Sequence, residues 1–145
     1  MTDTSHRTTY RVIYGDTDAA AVVYNANYLR YFEIGRTELM REKVCSYYEI
    51  QALGILLPVT ECFVRYKAFA CYDDLLIIET TLVELKKVSC KFSYRILREN
   101  IDSNKEQLLA KGYTVHAAVG SDGKLTRLPD ELIPRLHNLL PQEKN

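Results

Sequence analysis

Tyr14-Gly15-Asp16-Thr17-Asp18-Ala19-Ala20-Ala21-Val22-Val23-Tyr24-Asn25-Ala26-Asn27-Tyr28 joins two patterns of different period. Before it, residues 8–14 alternate, with Tyr10, Val12 and Tyr14 on one face and Thr9, Arg11 and Ile13 on the other, which predicts a strand. After it, no proline or breaker cluster interrupts the chain as far as Lys43, and Leu29, Phe32, Arg36, Leu39 and Met40 recur at helical spacing. A helix starting at Val22 or Asn25 and ending at Lys43 is expected. Asp16 and Asp18 therefore sit in the turn ahead of a helix, where free backbone N–H groups and the positive end of the dipole collect. Such a helix start can hold a developing oxyanion, and a nearby carboxylate can attack or activate water. The pairing points to acyl-transfer chemistry, although an aspartate in this place can also serve simply as a helix cap.

Outward from that stretch, Tyr28, Tyr31 and Ile34 put bulky side chains on further faces of the helix, so it is apolar over most of its circumference and should be surrounded. Gly35 in its middle costs about 1 kcal/mol of helix propensity, which predicts close backbone approach to a strand. Glu33 with Arg36, and Glu38 with Lys43, read as ordinary ion pairs. A short helical turn is expected around 46–53, then strands at 59–69, 75–85, 88–98 and 107–119, and a short one at 124–128. Asp73-Asp74 and Gly120-Ser121-Asp122-Gly123 mark turns, and a closing helix runs from Pro129 to about Leu139. One helix followed by four strands in hairpin succession argues for an α+β domain with an antiparallel sheet curved around its helix. The domain is expected to span 8–139, between tails at 1–7 and 140–145.

The totals exclude several classes. Nineteen basic residues balance nineteen acidic ones without a like-charge block, so electrostatics gives no reason to expect nucleic acid or an anionic membrane as partner. The polar start is unlike a signal peptide, and nothing approaches the roughly 18 apolar residues of a membrane span, so a cytoplasmic protein is expected. The four cysteines include no C-x-x-C pair and the three histidines lie far apart, which predicts free thiols and no metal site. No glycine-rich phosphate loop is present, and no cofactor is called for.

Tyr14-Gly15-Asp16-Thr17-Asp18, Val22-Val23-Tyr24, Asn27-Tyr28-Leu29-Arg30-Tyr31-Phe32-Glu33 and Arg36-Thr37-Glu38 together resemble the signature of hotdog-fold acyl-CoA thioesterases. The likeness is to the 4-hydroxybenzoyl-CoA thioesterase group, including enzymes associated with the Tol–Pal system. The block from Tyr66 to Leu75 resembles the same family's second strand and turn. The resemblance implies a sheet wrapped around a central helix, an acyl-CoA substrate, and a homodimer or homotetramer whose dimer pairs edge strands and places active sites at the interface. It puts the catalytic carboxylate, as nucleophile or general base, on Asp18, and the N–H that polarises the thioester carbonyl on Asn25. Tyr24, Asn27 and Tyr28 become candidate substrate-binding or supporting residues. Two positions depart from the pattern. Glycine usually stands where Ala21 does, and an L-residue holding positive φ there costs about 1–2 kcal/mol. Relatives of the Tol–Pal type carry histidine where Asn25 stands; asparagine supplies the same N–H but cannot titrate.

Each residue also has a plainer role. Asp16 reads as a structural brace of the turn, Glu61 as a surface acid or a second catalytic one, His116 as a tolerated strand residue. Arg65, Lys67, Lys87, Lys91 and Arg95 read as an exposed sheet face before they read as phosphate ligands. The leading function is hydrolysis of an acyl-CoA thioester. Hydration or dehydration of an acyl chain on the same scaffold is disfavoured, because no histidine occurs in the turn. A non-catalytic acyl-CoA-binding or protein-binding dimer is the alternative.

Overall fold

The computed structural model describes residues 4–142. β1 (His6–Arg11) leads through one 3-10 turn at Tyr14–Asp16 and an irregular loop into α1 (Asn27–Lys43). There follow α2 (Tyr47–Ala52), β2 (Ile55–Leu56), β3 (Val59–Tyr66), β4 (Leu75–Leu85), β5 (Ser89–Asn100), β6 (Lys105–Ala117), β7 (Val119–Gly120) and α3 (Ile133–His137). Five strands form one antiparallel sheet in the order β1-β4-β5-β6-β3, and β2 pairs with β7. The α+β class and the antiparallel sheet are as the sequence predicts, but the hairpin succession is not: β4, β5 and β6 pair in turn, whereas β3 crosses over to pair with β6, and β1 takes the place beside β4.

α1 lies against β1, β4 and β5 and is buried along Tyr28, Tyr31, Phe32, Gly35, Leu39 and Met40. Opposite it, Leu76, Ile78 and Leu82 of β4 and Phe92, Tyr94 and Ile96 of β5 face inward at the alternating positions of a pleated strand. The rings of Phe32 and Tyr94 stack at 4.2 Å and 4°, which ties the helix to the sheet centre and is worth about 0.5–1.5 kcal/mol beyond area burial. Gly35 meets the expectation of close approach. A Cβ there would lie 2.3 Å from Thr80 Oγ1 and 2.6 Å from the Ile78 side chain. Helix and strand are closer at this point than any side chain permits.

Element boundaries differ from the expected ones for identifiable reasons. β1 starts at His6, because Arg7 is held by Glu79 and Glu106, and stops at Arg11, because Asp16 draws residues 13–16 into a turn. α1 starts at Asn27 instead of Val22 or Asn25, because Val22 bridges Cys71 and the Val23 N–H donates to the Ala70 carbonyl at 2.8 Å. β3 stops at Tyr66, since the Lys67 and Ala68 amides both donate to the Leu109 carbonyl and break the ladder. Residues 124–128 contribute a single bridge, Val119 to Leu125, and no strand. α3 covers five residues, because Pro129–Leu132 is spent on a turn. Parts of the expected tails, 1–3 and 143–145, lie outside the described residues. Glu38 pairs with Arg41 rather than Lys43, at the i, i+3 spacing.

β3 is the exposed edge. Its burial is low on both faces, and Phe63 and Tyr66 remain 45% and 48% accessible. One side of its backbone pairs with β6 while the other is an open row of donors and acceptors. All four cysteines are free thiols, as expected, and among the described residues no helix is long and apolar enough to cross a membrane.

Candidate active site

The loop between β1 and α1 is built on Asp16, which is 1% exposed. Its Oδ2 accepts from the Tyr10 hydroxyl at 2.8 Å, the Tyr31 hydroxyl at 3.0 Å and the Ile13 N–H at 3.3 Å. Its main-chain carbonyl accepts from the Tyr24 N–H and from Asn27 Nδ2, both at 2.8 Å. One residue thus ties β1, both ends of the loop and α1 together. Arg30 Nη1 stands 3.7 Å from the other carboxylate oxygen. Burial first, then the Asp16 hydrogen bond, push the phenols of Tyr10 and Tyr31 above their ordinary range, so both stay protonated as donors. Asp16 is structural, as the sequence reading has it, although two of its three side-chain partners are phenols rather than backbone amides.

Asp18 occupies the outer half of the loop. Its N–H donates to the Val22 carbonyl and its carbonyl accepts from the Ala21 N–H, each at 2.9 Å, so residues 18–22 close a tight turn. Closing it places Ala21 at φ +66°. Asp18 Oδ1 accepts from the Ala20 N–H at 2.8 Å, an Asx-type contact that orients the carboxylate. Among the described residues, Oδ2 has no hydrogen-bond partner. One oxygen is anchored and the other is available.

The carboxylate borders a cleft of about 450 Å³ lined by Asp18, Val22, Val23, Asn25, Tyr28, Tyr66, Lys67, Ala68 and Phe69. Asp18 is the only acid in that lining. Asn25 lies two residues ahead of α1, and among the described residues no main-chain acceptor takes its N–H. Its carbonyl accepts from the Tyr66 hydroxyl at 2.8 Å and from the Tyr28 N–H at 3.4 Å. Tyr28 is buried, its hydroxyl accepting from the Ala70 N–H at 3.3 Å and its ring meeting Tyr66 edge-on at 5.2 Å. Burial raises the pKa of both Tyr28 and Tyr66. Among the described residues no cluster of side chains could hold a metal ion.

Of the residues singled out from the sequence, Asp18, Asn25 and Tyr28 converge on one cleft. Tyr24 and Asn27 are outside its lining: the Tyr24 ring is half exposed, and the Asn27 side chain is engaged with the Asp16 carbonyl. Glu61 accepts from the Tyr113 hydroxyl at 2.8 Å and is also outside the cleft. His116 is 1% exposed and sits in a buried chain, with Nε2 2.8 Å from Thr114 Oγ1 and Nδ1 2.9 Å from the Leu57 carbonyl. It is therefore a committed core residue rather than a bystander.

Comparison with known proteins decides the family, since a model described as the thioesterase-like superfamily matches residues 12–136. The chain belongs to the thioesterase-like superfamily. It is 36% identical over 110 residues to the acyl-CoA thioester hydrolase YbgC of Escherichia coli, covering 75% of this chain and 82% of that protein. The acyl-CoA thioesterase YbgC of Haemophilus influenzae is 32% identical over 142 residues, with 96% and 99% covered. A solved structure, a hypothetical protein of Thermus thermophilus, superposes with a TM-score of 0.85 at 28% identity, over 95% of this chain and 99% of that one. The hotdog fold of this superfamily member is thus established from sequence and structure together. Tyr66, Lys67, Ala68 and Phe69 are the lining residues that loop-first reasoning about a thioesterase-like chain misses. They stand within the second block of family likeness, where the motif signals the fold and says nothing of which side chains turn inward.

Proposed function

We propose that the chain hydrolyses acyl-CoA thioesters at the Asp18 cleft. The observation that carries this reading is the convergence of one half-anchored carboxylate and one uncommitted main-chain N–H, that of Asn25, on a largely apolar cleft. The Asn25 N–H donates to the thioester oxygen as it acquires charge, an interaction stronger in the transition state than in the ground state. Asp18 attacks the carbonyl carbon and displaces the thiolate, leaving a mixed anhydride that water then cleaves to free acid and regenerated carboxylate, or it takes a proton from a water that attacks the carbonyl directly. The leaving sulfur needs no acid, because a thiol of pKa about 8.5 departs readily as thiolate. This fits a lining in which the hydroxyls of Tyr28 and Tyr66 are both bonded to the main chain.

A homodimer formed through the open edge of β3 is part of the proposal. Pairing two such edges would satisfy the free donors and acceptors and cover Phe63 and Tyr66. A cytoplasmic setting is supported by the exposed free thiols of Cys62 and Cys71, which persist in a reducing compartment. Thiol release from a panel of aromatic, short-chain and long-chain acyl-CoAs tests the activity. Asp18→Asn should lower kcat by about 10²–10⁴-fold, the usual range for a lost proton-transfer group. Equal rates in the two proteins would remove Asp18 from the mechanism. Saturable CoA binding without thiol release by the wild type would establish the non-catalytic alternative instead.

A further inference from the structure

We infer that Lys67 selects acyl groups that end in a carboxylate, its ammonium meeting that anionic end while the thioester lies at Asp18 and Asn25. The inference rests on the hydrolytic function proposed above and names a substrate class for the same cleft. Strand alternation places Lys67 with Phe63 and Arg65 on the outer face of the sheet, opposite to Tyr66 and Ala68. The structure instead lines one cleft with Tyr66, Lys67, Ala68 and Phe69 in succession, which a regular strand cannot do. The cause is the double donation to Leu109, whose carbonyl accepts from the Lys67 N–H at 2.8 Å and the Ala68 N–H at 3.1 Å. Leu109 is itself the residue passed over where β6 shifts register against β5. Irregularities of this kind re-aim residues beside active sites. On the other side of the segment, Arg98 Nη1 holds the Phe69 carbonyl at 3.1 Å, so its course along the cleft wall is fixed at both ends.

Among the described residues, Lys67 is the one cation in the lining, as Asp18 is the one acid, and the two form no ion pair. The acids nearest Lys67 in sequence are taken, Asp73 standing by Arg11 and Asp74 by Arg98. An exposed ammonium on a flexible four-carbon stem is thus left at the wall of the cleft. An acyl group ending in a carboxylate meets like charge at Asp18, and Lys67 offsets that repulsion. A neutral acyl group leaves the ammonium in water, where it loses nothing. The phosphates of CoA stand a whole pantetheine arm away from the sulfur, whereas Lys67 shares a wall with Asp18, so the acyl end is the nearer anion.

The test compares adipoyl-CoA with hexanoyl-CoA, matched in chain length and differing in the terminal carboxylate, by thiol release with the uncatalysed rate subtracted. The readout is the ratio of the two kcat/KM values within one protein, which a partly folded variant does not distort. In Lys67→Met the ratio should fall about 5–10-fold, the range of one charge-assisted contact at a partly solvated site. Lys67→Arg should keep it, and Lys111→Met, on the outer face of the sheet, should leave it as in the wild type. An unchanged ratio in Lys67→Met would overturn the inference. So would an equal loss on both acyl-CoAs: if the loss vanished with the corresponding pantetheine thioesters, the ammonium would serve the CoA phosphates, and if it persisted there, it would serve the fold or the chemical step. A wild type that cleaves hexanoyl-CoA but not adipoyl-CoA would overturn the acyl preference and leave the Asp18 reading standing. Absence of thiol release from every acyl-CoA would overturn the hydrolytic function itself, and this is seen before any variant is made.

Discussion

Ala21→Gly should stabilise the protein, because the turn that carries Asp18 forces residue 21 to φ +66°. An L-residue held there costs about 1–2 kcal/mol, from contact of its Cβ with the neighbouring carbonyl. Glycine removes that cost, but its freer unfolded chain takes back about 0.4–1 kcal/mol. The balance is a gain of roughly 1 kcal/mol. A chain of 145 residues has an unfolding entropy of roughly 0.3 kcal/mol/K, so the thermal midpoint should rise by about 3 °C. Urea titration should show the same gain as a higher midpoint at constant slope. The neighbouring Ala20→Gly is the internal control. Residue 20 is not among the positive-φ positions, so glycine there should bring only the entropic loss, a destabilisation of about 0.5 kcal/mol. Opposite signs at adjacent alanines are difficult to produce by any general effect of glycine. A midpoint for Ala21→Gly at or below that of the wild type would refute the strain assigned to the turn.

Other expectations follow from the core and the loop brace. Gly35→Ala should destabilise by about 1–3 kcal/mol despite alanine's better helix propensity, because its Cβ would press on Thr80 and Ile78; chemical denaturation checks the sign. His116 is held near pKa 4, chiefly by burial and secondarily by Arg36, with the Leu57 carbonyl opposing them. Its unfolded value is about 6.5, so the unfolded chain binds the extra proton first as pH falls. Stability from this residue is therefore complete above about pH 6.5, declines by on the order of 3 kcal/mol towards pH 4, and levels off below; His116→Gln should flatten that segment of a stability–pH curve. Tyr31→Phe removes one of the donors to Asp16 and should cost about 1–3 kcal/mol, read in the same denaturation assay.

How far the sequence speaks depends on whether the deciding contact is local. Alternation in β5 places Cys90, Phe92, Tyr94 and Ile96 inward, and all four are buried as that pattern requires. Gly35 announces a close approach because only tertiary contact justifies glycine in the middle of an otherwise good helix. The start of α1 was not legible in the same way. Nothing in Val22-Val23-Tyr24 opposes a helix, and the chain there is extended only because Val22 and Val23 find partners at Cys71 and Ala70, nearly fifty residues away. Tyr66 was hidden for the same reason. Period-two alternation assigns it a strand face, but its position in the site depends on the ladder breaking one residue later at Leu109. His116, alone in its strand, shows no partner until β6 and the chain before β3 come together.

A positive-φ alanine survives in the middle of a loop only where the surroundings over-determine the backbone. Here they do so from three sides. Asp16 fastens both ends of the loop through its carboxylate and its carbonyl, the Ala70 carbonyl holds Val23 from β4's approach, and Tyr66 holds Asn25 from the end of β3. None of these contacts involves Asp18 Oδ2 or the Asn25 N–H, so the fixed groups surround two groups that are left free. That division is what a preorganised acyl-transfer site requires: rigidity placed on the atoms that do not react, and hydrogen-bonding capacity reserved for the atoms that do. The strain at Ala21 is then a consequence of where the loop is fastened. Relaxing it with glycine should change the stability of the fold much more than the direction in which Asp18 and Asn25 point.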